Sequence, residues 1–397
     1  MARAGMGTAV GLVAKSSGGI EKAVDGLGEL RGLGTKVGQM AGLVEASLSP
    51  EMRAQIGPAL ARLRAQAMRS PYEGIAQVIE EDLGAAPELL FARFEREPFA
   101  SASLGQVYDA EHHDGRHLAV KVKHPGIGEA FRNDLSNVAG LGRIATSFFM
   151  PKGQGRLFFD GVKAGFLAEL DYALEAEHLR TFAGLLKGDA VLELPTLVPE
   201  LSSPRVLTTT FLEGEVVEQA RAYDDDIRRT QAAAIRRLLL SASMDHGWLY
   251  ADTHAGNFLF RPDGSLGVLD FGSVLRFDED RREALVAMRG AIEGDDERAC
   301  ALALDELLQV GNVRVAAAMA DIQWLALGGL VRGDAIDDER IRTLTTRIPE
   351  MKKKLLGERF ALPSFMPFLM RAVMGTNALL AALGAPESGP LTRLPGS

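Results

Sequence analysis

The chain has 397 residues, 47% of them hydrophobic and 24% charged, enough for one large two-lobed unit or two domains. A formal net charge of -9 offers no broad basic face and argues against a nucleic-acid binder. The single cysteine, Cys300, excludes an internal disulfide framework, fits a reducing compartment, and reads as a small core residue on a helix.

The first residues contain no long uninterrupted apolar run, so no signal peptide is expected and the chain is assigned to the cytoplasm. Residues 18–68 are helical in pattern, with Leu30, Leu33, Val37, Met40 and Val44 forming one apolar stripe. Lys36 and Gln39 flank that stripe, and Gly38 between them permits close approach of another backbone. On these residues alone, a solvated lysine and glutamine would be the simpler reading. Ser49-Pro50-Glu51 and Ser70-Pro71 read as helix starts with serine as the cap. Ile75, Val78, Ile79 and Leu83 give the second of these helices its buried face, and Gly84 ends it. Residues 1–86 are thus expected to be a helical extension.

From residue 94 the period changes to two. Val107, Tyr108 and Ala110 predict one strand, His113-Asp114-Gly115 a turn, and Leu118, Val120 and Val122 the next strand. Lys121 points away from the three apolar residues of its strand and reads as a lysine that pairs with nucleotide phosphates; Lys123, on the same face, ranks below it. Ahead of these strands, Ala100, Ser101, Ala102 and Ser103 stand where a protein kinase carries glycines. Their Cβ atoms deny the loop left-handed conformations and alter how it approaches phosphate. Residues 167–182 predict a helix buried through Leu170, Leu174 and Leu179, with Glu169, Asp171 and Glu175 as carboxylates. One of them must hold Lys121, with Glu175 favoured and Glu169 as runner-up. Residues 206–211 are β-rich, Glu213-Gly214 is a hinge, and 87–213 is read as one lobe with a helical insertion.

The rest of the chain, 214–397, is read as a helical lobe that carries the chemistry. Residues 224–246 predict a long helix with Ile227, Ile235, Leu238 and Leu239 inward. The stretch 247–272 follows, GWLYADTHAGNFLFRPDGSLGVLDFG. Phe258–Phe260 and Leu266, Val268 and Leu269 form two short strands joined at Pro262-Asp263-Gly264, which returns Asp270 beside Asn257. Two carboxylates, Asp252 and Asp270, and the Asn257 amide can hold Mg²⁺ through oxygen and orient an attacking hydroxyl, as phosphoryl transfer requires. The D-x-H form of Asp252-Thr253-His254 also suggests metal-dependent phosphoester hydrolysis, but no histidine follows His254 to complete such a site. Beyond residue 276 the pattern is helical, with Leu285, Met288 and Ile292, then Leu302, Leu304, Leu307 and Leu308, as buried positions. The apolar stretch 360–385 is broken by Pro363, Pro367, Arg371 and Asn377, which favours packed helices with at most peripheral membrane contact. The residues after 387 read as a loose tail.

Together these pieces resemble the UbiB/AarF family of atypical kinases, also called ABC1 or ADCK, from about residue 33 to residue 272. Lys36-Val37-Gly38-Gln39 is similar to the KxGQ motif, PFASASLGQVY to the alanine-rich loop and AVKVKHPG to the lysine strand. Glu169-Leu170-Asp171 is similar to the ExD motif, and YADTHAGNF with LDFG to the catalytic and metal loops. The resemblance implies an α+β, two-lobed protein-kinase-like fold with a small β-rich N-lobe, a helical C-lobe and the N-terminal extension folded over the site. It implies ATP and Mg²⁺ as cofactors, a Lys121–Glu175 ion pair, Asp252 as catalytic acid/base, and Asn257 and Asp270 as metal ligands. Lys36 and Gln39 would sit in the cover, with Glu169 and Asp171 receiving Lys36. An ATPase or a lipid- or quinone-precursor-linked activity in ubiquinone metabolism is implied, rather than protein phosphorylation. A non-catalytic nucleotide-gated module for lipid or a partner is the alternative. Three departures stand out: Thr253 and Ala255 replace the prolines common in the family's loop, Ser101 interrupts the alanines, and the tail lacks the transmembrane hairpin of some bacterial members.

Overall fold

The computed structural model describes residues 69–101, 104–130, 132–133, 163, 167–355, 357–358 and 360–395. The predicted helix of residues 18–68, Lys36, Gln39, Ala102 and Ser103 lie outside them. The chain divides into two compact units, residues 1–141 and 142–397.

The first helix among the described residues of this unit is α1 (Tyr72–Leu83), which buries Ile75, Val78 and Ile79 and closes at Gly84, whose left-handed backbone (φ 81°) lets its amide bond back to Glu80. The expected serine cap is not formed. Pro71 occupies the N-cap position, and the Ser70 hydroxyl is engaged 2.9 Å from His124 Nδ1. Gly74 allows Pro125 to press against this helix, since a Cβ there would lie 3.1 Å from the proline ring. After α2 (Pro87–Leu90), four antiparallel strands follow: β1 (Arg93–Phe94), β2 (Ala100–Ser101), β3 (Gly105–Glu111) and β4 (His117–Lys123), with β1, β2 and β4 each paired to β3. Leu118, Val120 and Val122 are fully buried, as their alternation predicts. Lys121, opposite Val107, is half-buried on the other face. Lys123, opposite Gly105, is the more buried of the two. Beneath β3 the buried Gln106 receives the Ser70 amide at 2.6 Å and donates to the Tyr108 hydroxyl at 3.0 Å.

In the second unit α3 (Tyr172–Leu185) starts five residues later than the predicted helix. Asp171 is extended (φ −122°, ψ 100°) and its carboxylate accepts the Ala173 amide at 2.9 Å, so it caps the helix and prevents its extension backward. Next come β5 (Leu192–Glu193), β6 (Val206–Thr210), α4 (Val217–Ala220) and α5 (Asp225–Met244). α5 is the central helix, burying Ile235, Leu238, Leu239 and Leu240. β7 (Trp248–Tyr250), β8 (Phe258–Phe260), β9 (Leu266–Val268) and β10 (Val274–Arg276) surround the candidate site. β7 pairs with β10, and β9 lies antiparallel to β8 and parallel to β5. The hairpin forms as expected, with Gly264 at φ 90° in its turn; Leu269 lies beyond β9 and is exposed.

Helices α6 (Glu279–Glu293), α7 (Glu297–Leu308), α8 (Val313–Arg332), α9 (Asp338–Lys354) and α10 (Met366–Leu383) complete the unit. Cys300 is buried on α7 and burial pushes its thiol up to about 11, which removes it from nucleophilic chemistry. Leu302 is exposed, contrary to expectation, because Cys300, Ala303, Leu304 and Leu307 already define the buried face of that helix. By length and composition α8 and α10 could each cross a membrane, yet 67% and 61% of their apolar windows are buried within the fold.

Residues 388–394 are not loose. Arg236, 1% exposed in the middle of α5, donates to the Leu330 carbonyl at 2.6 Å, to the Val331 carbonyl at 3.3 Å, to Ser388 Oγ at 2.5 Å and to the Gly389 carbonyl at 2.9 Å. Burial lowers its guanidinium to about 10, still charged at neutral pH, and the oxygens at the α8 C-terminus complement that charge. Ser241 Oγ holds the Thr392 carbonyl, the Ser388 amide bonds to Gly333, and Leu394 is buried. A chain truncated after Pro386 is expected to lose about 2–4 kcal/mol in urea-unfolding free energy, because two hydrogen bonds to a buried charge disappear with the packing of Leu394.

Candidate functional site of the second unit

Phe271 organises the site. Its ring lies 5.2 Å from Phe182 on α3 and 5.5 Å from Tyr250 at the end of β7, and these two rings are 6.0 Å apart. All three are fully buried. The Phe271 carbonyl accepts a hydrogen bond from His178 Nδ1 at 3.0 Å, so α3 is tied to this segment by both packing and polarity. Asp270 and Gly272, on either side of Phe271, are held accordingly. Asp270 Oδ1 accepts the Gly272 amide at 2.8 Å, and a Cβ on Gly272 would lie 3.1 Å from that oxygen and 3.5 Å from Glu175 Oε2. Glu175, 4% exposed on α3, therefore flanks the same glycine as Asp270.

The hairpin brings in the amide. The Leu269 amide bonds to the Asn257 carbonyl at 3.0 Å, placing Asn257 one residue from Asp270 across the open end of β8 and β9. Asn257 Nδ2 donates to the Asp252 carbonyl at 3.0 Å, which commits the nitrogen and turns Oδ1 away from that bond. His254 stabilises the intervening turn by accepting the Gly256 amide on Nδ1 at 3.1 Å. An Asp270 carboxylate and an Asn257 oxygen make a hard donor set suited to Mg²⁺, which keeps few protein ligands and takes the remainder from phosphate and water. Among the described residues no group of three His, Cys, Asp or Glu side chains has metal-holding geometry. Burial first, then Asp252 and Asp270, push the Tyr250 hydroxyl well above its ordinary range.

The least expected contributor is α10. Arg371 Nη2 lies 2.5 Å from Asp252 Oδ1, and its Nη1 lies 3.8 Å from Glu169 Oε1. In the next position along both segments, Thr253 Oγ1 donates to the Ala372 carbonyl at 2.9 Å. Gly375 accommodates the loop, because a Cβ there would fall 2.5 Å from Thr253 Oγ1. Sequence reading treated Arg371 only as an interruption of an apolar stretch. A lone cation in such a helix is itself the signal, since it demands a buried partner. Of the remaining predicted residues, Asp171 is the α3 cap, and Ala100 and Ser101 are exposed strand residues paired with Val107 and Gln106 in the first unit.

The ABC1 atypical kinase-like domain model matches residues 62–303. The chain belongs to this family. Its fold is accordingly kinase-like and α+β. Similar to it are the mitochondrial atypical kinase COQ8 of Saccharomyces cerevisiae, 28% identical over 93% of this chain and 74% of that protein, and the mitochondrial atypical kinase COQ8B of Rattus norvegicus, 30% identical over 70% of this chain. The chain spans about half the length of the rat relative, 52%. A solved Mycobacterium tuberculosis structure, that of Rv3197 in complex with erythromycin, superposes with a TM-score of 0.59 at 27% identity, covering 93% of this chain and 94% of the other.

Two outcomes follow from this geometry. Gly375→Ala should lower stability by about 1–3 kcal/mol despite alanine's better helix propensity, because the loop and α10 must separate; its denaturant midpoint measures this. Burial holds the His178 imidazole below its ordinary 6.5, with the Phe271 hydrogen bond opposing in part. The unfolded chain therefore binds the proton first, so the His178 contribution to stability is present above about pH 6.5 and is lost as pH falls through the lowered folded value. His124 in the first unit shifts the same way through burial. Unfolding free energies at about pH 8 and about pH 5.5 should differ less in His178→Asn than in the wild type.

Proposed function

We propose that the chain is an atypical kinase or ATPase that binds Mg-ATP and acts on, or in support of, lipid or isoprenoid-quinone metabolism rather than phosphorylating proteins. The observation that carries this reading is a linked set of contacts: Glu175 and Asp270 flank Gly272, Asn257 bonds to Leu269 next to Asp270, and the Asn257 amide reaches the Asp252 carbonyl. Membership of an atypical kinase-like family supports the chemistry. The COQ8 relatives support a quinone setting, and the relative solved with erythromycin supports a bulky, largely apolar small molecule near such a fold.

In this proposal Lys121 and Glu175 both serve to position nucleotide phosphates, and so does the segment Ala100, Ser101, Ala102 and Ser103, whose first two residues are strand β2. Asn257 and Asp270 would hold Mg²⁺, which when bound neutralises phosphate charge. Asp252 orients the acceptor hydroxyl or a water and takes its proton as the phosphoryl group leaves ADP. Lys36 and Gln39 regulate access, with Glu169 and Asp171 as their acidic counterparts. Peripheral contact with a membrane would bring in a lipid or quinone precursor.

A second reading, a nucleotide-gated module without turnover, draws on the Arg371 contact that already occupies Asp252 Oδ1. Phosphate release separates the two. Asp252→Asn is expected to lower Mg-ATP turnover by about 100-fold or more while ADP still raises the melting temperature. Equal turnover in the variant and the wild type, across a panel of lipids and phenols, would refute the enzyme; nucleotide stabilisation without phosphate release from the wild type would establish the module.

A further inference from the structure

The base proposed for the reaction is held by a helix that lies more than a hundred residues further along the chain. Successive residues of the loop, Asp252 and Thr253, engage successive residues of α10, Arg371 and Ala372, and Gly375 leaves space for the contact one turn later. The ion pair is sheltered, with the side chains of Arg371, Asp252 and Glu169 19%, 13% and 9% exposed. Asp252 Oδ1 makes no aligned hydrogen bond there, so the coupling is the charge–charge attraction at 2.5 Å, which in a sheltered setting biases how the carboxylate turns. With Oδ1 the oxygen nearest the cation, Oδ2 is the one less bound to it and the better proton acceptor. Glu169, on the guanidinium's other branch, limits rotation of the arginine in turn.

We infer that Arg371 is a positioning residue for the acceptor step: it orients Asp252 so that Oδ2 meets the hydroxyl or water being activated, and Glu169 keeps the guanidinium in place. This inference rests on the reading of Asp252 as the base. It gives α10 a part in the reaction beyond packing, and it explains an arginine within a helix that is otherwise almost wholly apolar.

Turnover of Mg-ATP and the thermal shift with ADP are measured for the full chain as wild type, Arg371→Gln, Asp252→Asn and the double variant. Arg371→Gln is expected to lower kcat by about 10- to 100-fold with KM for ATP and the ADP shift changed less than twofold, since the arginine acts on orientation rather than on nucleotide affinity. The double variant should be no slower than Asp252→Asn, because a residue that acts through Asp252 has nothing left to orient. Losses that multiply, a retained kcat in Arg371→Gln, or a lost ADP shift would overturn the inference while leaving the reading of Asp252 intact. An Asp252→Asn variant as active as the wild type, or a wild type without turnover, would overturn both. If Arg371→Gln does not fold, Glu169→Gln replaces it. It should slow kcat in the wild type and not in the Asp252→Asn background, and a loss in both backgrounds would reject the proposal.

Discussion

Packing of one ring, Phe271, between Phe182 and Tyr250 sets where the polar atoms of the second unit stand. Fully burying a side chain of this size is worth about 1.5–3 kcal/mol, and tilted or edge-on aromatic pairs add about 0.5–1.5 kcal/mol each. Those gains are of the size needed to gather acidic groups that repel one another and that lose hydration when buried. Asp270 and Gly272 are placed by the ring between them, and Glu175 by the helix on which Phe182 and His178 sit. Displacing the ring would therefore separate the carboxylates before it unfolded the lobe.

The second support is electrostatic and comes from α10. This helix satisfies the length and hydropathy expected of a membrane span, yet its polar residues are spent within the fold. Arg371 is engaged with Asp252 and Glu169, Thr376 with the Ala372 carbonyl, and Asn377 with the Ala326 and Val373 carbonyls. Arg228 closes its C-terminus on the Leu383 and Gly384 carbonyls. Moving such a helix into lipid would leave several of these groups without partners, at about 1–3 kcal/mol each. Thr253, standing where the family commonly has a proline, contributes the hydroxyl that a proline cannot supply. Its loop is thus anchored to α10 by a hydrogen bond.

The same economy holds at the end of the chain. Arg236 is buried without a carboxylate in hydrogen-bonding contact, and carbonyl oxygens from α8 and the final segment surround it. A full charge in the core is tolerated because the Leu330 and Val331 oxygens lie at a helix C-terminus, where the peptide dipoles already present negative potential, and Gly389 adds a further carbonyl. Residues 388–394 are consequently tied to the core through Arg236, Ser241 and Leu394.

Local pattern determined much of this protein. Alternation specified β3 and β4 and the face on which Lys121 stands, the turn residues between Phe260 and Leu266 specified the hairpin, and the hairpin alone returned Asp270 to Asn257. The family and its kinase-like fold were legible for the same reason, since short motifs with fixed spacing encode local geometry. What the sequence could not convey was anything that depends on a distant partner. Ser70 spends its hydroxyl on His124, Asp171 stops a helix whose period continues through it, Arg236 gathers the final residues, and Arg371 reaches Asp252 across more than a hundred positions. Each is decided by where a buried polar group finds its complement, and that is a property of the folded chain in three dimensions and not of any window along it.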